Sequence, residues 1–211
     1  MSFTEARLEQ AIIDLLAEQG YPHVLGSTLD RALHEVLIKE DLRAYLNKRY
    51  QADGITEAEI DSVINRLDRL SAADLYDSNR SIHKLVADGF LLKREDRSKK
   101  DLYVQLIDYA GLPEQRLPED GEVESIDARA PENQIANNTA AYGTANIYKV
   151  VNQLEIEGKE LRIPDAILYI NGLPLVVFEF KSAVREEVNI EEAYKQLTVR
   201  YARDIPELMK Y

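Results

Sequence analysis

The 211-residue sequence predicts an α/β domain: a mixed central β-sheet flanked by helices, with a helical insertion at about residues 31–75. Three observations carry that expectation. Apolar residues at helical spacing dominate the first ninety positions. Three strand-like runs follow late in the chain, at about 148–156, 161–170 and 175–181. The last two are joined by Asn171-Gly172, a dipeptide that tolerates positive φ and closes a two-residue hairpin.

Taken in order, Thr4 opens a helix that runs to about Gln19 and is closed by Gly20, with Leu8, Ile12, Leu15 and Leu16 on one face. Glu5 and Glu9 lie one turn apart near its start, where the helix dipole favours negative charge. Residues 21–30 carry no strong signal. From 31 to 70 the chain reads as helices. Leu33, Val36 and Leu37, then Leu42, Tyr45 and Leu46, form apolar stripes, interrupted at Ala52-Asp53-Gly54. Thr56 with Glu59 three positions on makes a capping box for a helix bearing Ile60, Val63, Ile64 and Leu67. A further short helix starts at Asp77-Ser78-Asn79, buries Ile82, Leu85 and Val86, and stops at Gly89. Residues 90–92 and 102–107 read as an antiparallel pair around a charged loop, 93–101. Residues 112–138, with Pro113, Pro118, Pro131 and a dense acidic run, read as a surface excursion. In the first late strand Gln153 is either turned toward a site or a satisfied buried amide. Asn189, with Glu192 three later, starts a final helix.

The hairpin holds the chemistry. Asp165 and Glu179 lie equally far from its turn, so they face each other across the ladder. Glu179 and Lys181 are two apart and project from one face. Burying three charges in an apolar sheet is costly unless they are paired or bind a metal. Two carboxylates held together repel, and a hard divalent cation relieves that repulsion. A neighbouring lysine orients or deprotonates water and steadies developing phosphate charge. An Asp followed by Glu-x-Lys on the next strand is therefore a recipe for metal-assisted phosphodiester hydrolysis. A surface Glu179–Lys181 ion pair is the plain alternative, and Pro164-Asp165, the turn and the apolar strands weigh against it.

The segment PDAILYINGLPLVVFEFKSA resembles the PD-(D/E)xK nuclease motif, and more closely the nuclease segment of the R (HsdR) subunit of type I restriction enzymes. The likeness is tightest from about residue 150 to 183. It implies a restriction-endonuclease-like core, with Asp165, Glu179 and the backbone carbonyl of Phe180 holding Mg²⁺ and with Lys181 as catalytic lysine. TEARLEQAIIDLLAEQGY resembles the family's first helix, which implies that a glutamate there, Glu9 in preference to Glu5, reaches toward the metal. Related nucleases often carry Gln-x-x-x-Tyr on the helix after the lysine strand. Gln196 matches, but Tyr201 stands one residue too far, about 140° round a regular helix. The family further implies double-stranded DNA as substrate, methylase and specificity subunits as partners, and an ATP-driven motor beyond Tyr211. This stretch would then be the amino-terminal endonuclease domain, 1–211, of a longer chain. No GxxxxGK[ST] phosphate loop occurs in it, so ATP hydrolysis is not assigned to these residues.

Composition narrows the alternatives. A net charge of −12 argues against a protein that coats DNA generically, but not against a nuclease, whose metal supplies local positive charge. Residues 80–100 nevertheless hold seven Lys/Arg against three Asp/Glu. Within them Arg94, Arg97, Lys99 and Lys100 are candidates for the phosphate backbone, as is Arg200 on the last helix. No run approaches a membrane span, and the start is not a signal peptide. Cysteine is absent, which excludes disulfides and fits a cytoplasmic protein. Two rivals remain: another nuclease of the same fold, such as a repair exonuclease or resolvase, and a non-catalytic domain that docks to a DNA motor.

Overall fold

The computed structural model describes residues 4–109, 145–181 and 190–211. The excursion expected at 112–138, and the Asn189 cap, lie outside the described residues. A four-stranded sheet forms the centre, in the order β1-β4-β7-β8, where β1 is His23–Leu25, β4 Tyr148–Asn152, β7 Ala166–Ile170 and β8 Leu173–Phe178. β1 pairs parallel with β4 while β4, β7 and β8 run antiparallel, so the sheet is mixed, as expected. β1 gave no signal in the sequence because three residues are too few to display a period.

Helix α1 (Glu5–Glu18) covers one face, where Ile13 packs with Val150, Ala166, Phe178 and Phe180. Against the other face lie the carboxyl-terminal elements, whose Tyr201, Ile205 and Leu208 pack with Val151, Ile167, Tyr169 and Val177. Alternate residues of β4 and β7 thus serve opposite cores, as the two-residue period of a strand requires.

The helical insertion has two expected helices, α2 (Lys39–Tyr50) and α3 (Glu57–Asp68). The capping box forms: Thr56 Oγ1 accepts from the Glu59 amide at 3.2 Å, and Glu59 Oε2 accepts from the Thr56 amide at 3.0 Å. Residues 31–38 are not helical, contrary to expectation. Val36 and Ile38 join one core and Leu37 the other, a strand-like alternation that a helix cannot produce. Arg31 organises this segment, donating to the carbonyls of Ala32, Leu33 and Glu35 and across to that of Glu155.

Helix α4 (Leu75–Asp88) starts earlier than expected, because Asp74 rather than Asp77 caps it, accepting from the Asp77 amide at 3.1 Å. Strands β2 (Phe90–Leu92) and β3 (Leu102–Val104) pair antiparallel and pack on α2 and α3. The long second strand expected at 161–170 is split into β6 (Leu161–Arg162), which pairs with β5 (Ile156–Glu157), and β7. The break falls at Ile163-Pro164-Asp165.

The hairpin turn ties the sheet to the insertion. Asn171 (φ +52°) and Gly172 (φ +77°) both take left-handed backbone, as a two-residue hairpin of primed type demands. A Cβ on Gly172 would lie 2.1 Å from the Ile38 carbonyl oxygen, so only glycine fits where the turn meets α2. Asn171 is fully buried. Its side chain accepts from the Ile147 amide at 2.7 Å and donates to the Leu106 carbonyl at 2.8 Å.

Candidate active site

Two pairings place the site at one end of the sheet. Asn152 pairs with Ala166, and Ala166 pairs with Phe178. The next residues outward are Gln153, Asp165 and Glu179, so Asp165 stands opposite Glu179 just beyond the last ladder pair. Counting from the turn does not give this by itself. Asp165 is six residues from Asn171 and Glu179 is seven from Gly172, so the equal spacing read from the sequence is off by one. A β-bulge corrects it: Tyr169 pairs with Pro174 but Leu168 with Val176, leaving Leu175 as the extra residue of β8. Without that bulge Asp165 would oppose Phe178, and Glu179 would point to the other face.

Glu179, Phe180 and Lys181 continue β8 without ladder partners. The Glu179 side chain is only 2% exposed, and Lys181 forms an ion pair with its Oε1. The Phe180 amide donates to Asp165 Oδ2 at 2.6 Å, locking the two strand ends together. Phe180 stacks on Phe178 at 5.9 Å, toward α1. Burial raises the Asp165 carboxyl above the ordinary range. The Glu179 and Glu9 carboxylates push the same way, while the Phe180 amide and Lys181 oppose it. Glu9, on the first turns of α1, therefore belongs to the same electrostatic site. It accepts from Asn152 Nδ2 at 3.0 Å and lies 3.5 Å from Gln153 Nε2.

The final helix supplies the fourth wall. After α5 (Ile190–Lys195) the chain winds as a π-helix over Gln196–Tyr201, then as α6 (Ala202–Asp204) and α7 (Pro206–Met209). A π turn closes its hydrogen bonds five residues apart and turns less per residue than an α-helix, so it swings Tyr201 back toward Gln196. Gln196 Nε2 donates to the Tyr201 hydroxyl at 3.0 Å, and that hydroxyl donates to Glu179 Oε2 at 2.7 Å. The sequence argument against Tyr201 assumed a regular α-helix, and the extra residue is absorbed by the π turn. Burial, with Glu179 adding to it, pushes the Tyr201 phenol upward and keeps it a donor.

The other candidates divide. Arg94 is 5% exposed, and its guanidinium donates to Glu59 Oε1 at 2.8 Å and to the carbonyls of Asp53 and Gly54. That commitment contradicts a phosphate contact for Arg94; it anchors the chain between β2 and β3 to α3. Arg97, Lys99, Lys100 and Arg200 are exposed. Among the described residues, no hydrogen bond or ion pair joins residues 93–101 to Asp165, Glu179 or Lys181. Asn152 drew no attention in the sequence, and His23 reads there only as one of three scattered histidines, with His34 and His83, that suggest no zinc site. Asn152 adjoins Gln153, the polar residue that did stand out, whereas His23 sits where no strand was expected.

Among the described residues, no three or more His, Asp or Glu side chains form a ready-made metal cage. Mg²⁺ does not require one. It binds through one or two carboxylates and keeps several waters, and the oxygen donors Asp165 and Glu179 suit it. Burial, with the neighbouring carboxylates adding to it, favours the neutral acid of Asp165, and a bound cation would oppose that preference.

Sheet, helices and charged strand ends together define an α/β domain of nuclease-like type. The chain belongs to the family described as "Type I restriction enzyme R protein N terminus", whose model matches residues 2–211. It is 27% identical over 220 residues to the type I restriction enzyme HindI endonuclease subunit of Haemophilus influenzae, covering 98% of this chain and 17% of that protein. A protein of Methanocaldococcus jannaschii named as the MjaIXP endonuclease subunit is 24% identical over 216 residues, again 97% of this chain and 17% of the relative. A second from that organism, named as the MjaVIIIP endonuclease subunit, is 38% identical over 66 residues, which are 31% of this chain and 6% of the relative. The chain thus spans about a sixth of the length of the relatives that it matches throughout. No helix among the described residues is long and apolar enough to cross a membrane.

Proposed function

We propose that this domain hydrolyses DNA phosphodiester bonds with Mg²⁺, as the cutting module of a type I restriction enzyme R subunit. The observation that carries the reading is the bulge-set register. It puts Asp165 opposite Glu179 at the sheet's end, with Lys181 on Glu179. Asp165 and Glu179 would hold the cation, with the Phe180 carbonyl as a third oxygen. When bound, Mg²⁺ supplies Lewis acidity and lowers the pKa of water.

The protein's own groups do the rest. Lys181, 19% exposed, is open enough to meet a phosphate oxygen and to orient the attacking water. Tyr201 and Gln196 hold Glu179 so that it does not follow the ammonium of Lys181. Glu9 approaches the same end from α1 and accepts hydrogen bonds at the periphery. Hydrolysis adds water's oxygen to phosphorus and breaks a P–O ester bond; one of the water's protons ends on the leaving sugar oxygen and the other passes to solvent or stays on the new phosphomonoester. No base-reading element is assigned here, so sequence choice falls to the methylase and specificity subunits that the family membership implies. The ATP-driven motor that the resemblance implies is assigned to none of these residues.

The test is Lys181→Ala and Asp165→Ala in the full R subunit assembled with its partners. Loss of DNA cutting with ATP hydrolysis retained is expected. Unchanged cutting would favour a non-catalytic docking domain instead.

A further inference from the structure

We propose that Asn152 is a positioning residue of this site, oriented by His23, and that it holds the Glu9 carboxylate at the open end of the sheet beside Asp165. The inference rests on the nuclease reading above and adds to it a chain of three side chains that reaches the site from the face opposite Tyr201.

Asn152 is the last residue of β4, 8% exposed, and pairs with Leu25 on one side and Ala166 on the other. Both ends of its amide are engaged. Nδ2 donates to Glu9 Oε1 at 3.0 Å, and Oδ1 lies 2.8 Å from His23 Nε2. The chemistry fixes the direction of this chain. A flipped amide would set its oxygen against the Glu9 carboxylate, two acceptors facing each other. Glu9 therefore dictates which way the amide points, and the remaining oxygen end then requires His23 to donate through Nε2. His23 gives to Asn152, and Asn152 gives to Glu9.

The backbone is built to hold that amide still. The chain leaves β4 at Gln153 with φ +50°, an uncommon conformation for a non-glycine residue. A Cβ on Gly26 would stand 2.6 Å from the Gln153 carbonyl oxygen and 2.5 Å from the Leu154 Cα. The end of β1 is thus wedged against the turn that follows Asn152, and no side chain fits between them. Local strain retained where a carboxylate is aimed is a common companion of function. The arrangement mirrors the opposite wall, where Gln196 gives to Tyr201 and Tyr201 gives to Glu179. Each of the two glutamates is held by a polar pair on its own side of the sheet.

A merely structural Asn152 would lower stability without caring whether Glu9 is present, and the experiment exploits that difference. DNA cutting and thermal melting are measured for Asn152→Ala and His23→Ala in the assembled enzyme, each with Glu9 intact and with Glu9→Ala. Outer partners of catalytic or metal-binding groups typically matter by about 10–100-fold. We expect Asn152→Ala to lower cutting by roughly tenfold, His23→Ala by less, and neither to add anything once Glu9 is alanine. Asn152→Asp, which turns the donor into an acceptor, should be worse than alanine although it keeps the shape. Losses that persist undiminished in the Glu9→Ala background would overturn the proposal, as would full activity of Asn152→Ala. Exposed His23 keeps the test valid if Asn152 variants fold poorly. Asp165→Ala is run alongside: if it also cuts normally, the nuclease reading itself has failed rather than the role of Asn152.

Discussion

The Glu179 carboxylate is held by two groups of different kinds: the Lys181 ammonium and the Tyr201 phenol, itself held by the Gln196 amide. Hydrogen bonds to charged groups contribute about 1.5–3 kcal/mol, so Tyr201→Phe should cost DNA cutting roughly tenfold or more while ATP hydrolysis persists. Gln196→Ala, one bond further out, should cost less, and a cleavage time course on both variants checks the order. Asp165 makes a prediction about pH. Burial raises its folded pKa above the unfolded value of about 3.9. The folded protein therefore favours the neutral acid. That contribution is fully present below the unfolded pKa and is lost as pH rises through the folded one. At neutral pH without divalent metal, ionised Asp165 costs stability, and Asp165→Asn should melt higher than wild type. The gain should shrink on acidification and vanish below about pH 4, which differential scanning fluorimetry in chelated buffers will show. A gain independent of pH would mean that the asparagine helps for another reason.

Among the elements, two insertions of one residue build the site. Leu175 is the extra residue of β8, and it turns Glu179 toward Asp165. The π turn of Gln196–Tyr201 is the second, and it turns Tyr201 toward Glu179. Both were present in the sequence only as spacings that miss the regular count by one. A period of two or of 3.6 residues cannot predict where a chain departs from it, because tertiary packing decides that. The hairpin, the capping box of Thr56 and Glu59, and the presence of the first helix were legible, since each rests on local chemistry, although that helix buries Ile13 and leaves Leu15, read as part of its apolar face, exposed. The parallel β1 and the extended segment at 31–38 were not, since each takes its form from partners far along the chain. Gly172 tests the hairpin turn. Backbone strain alone costs about 1–3 kcal/mol, and the approach to the Ile38 carbonyl adds to it, so Gly172→Ala should lower the melting temperature sharply. A change of under a degree would show that the turn and α2 can part without loss.

In the whole molecule, the sheet and the helical insertion have separate cores that meet at the Asn171-Gly172 turn. Arg94's buried pair with Glu59 ties the chain after β2 to α3 inside the second of them. Removing one partner of a buried pair costs about 3–5 kcal/mol. Arg94→Ala should therefore unfold more readily, and any effect on DNA binding should follow from that. Replacing exposed Arg97, Lys99 and Lys100 by alanine should leave melting unchanged. If that loop meets the phosphate backbone, the salt dependence of binding should become shallower. With an acidic net charge, a DNA ligand would approach most readily at such a local patch or at a bound cation. The assignment stands or falls on the metal. A crystal soaked in Mn²⁺ and measured for anomalous scattering should show an ion between Asp165 and Glu179 in the wild type and none in Asp165→Ala. Ordered carboxylates with no ion between them at high Mn²⁺ would contradict the nuclease assignment and leave a domain that only docks.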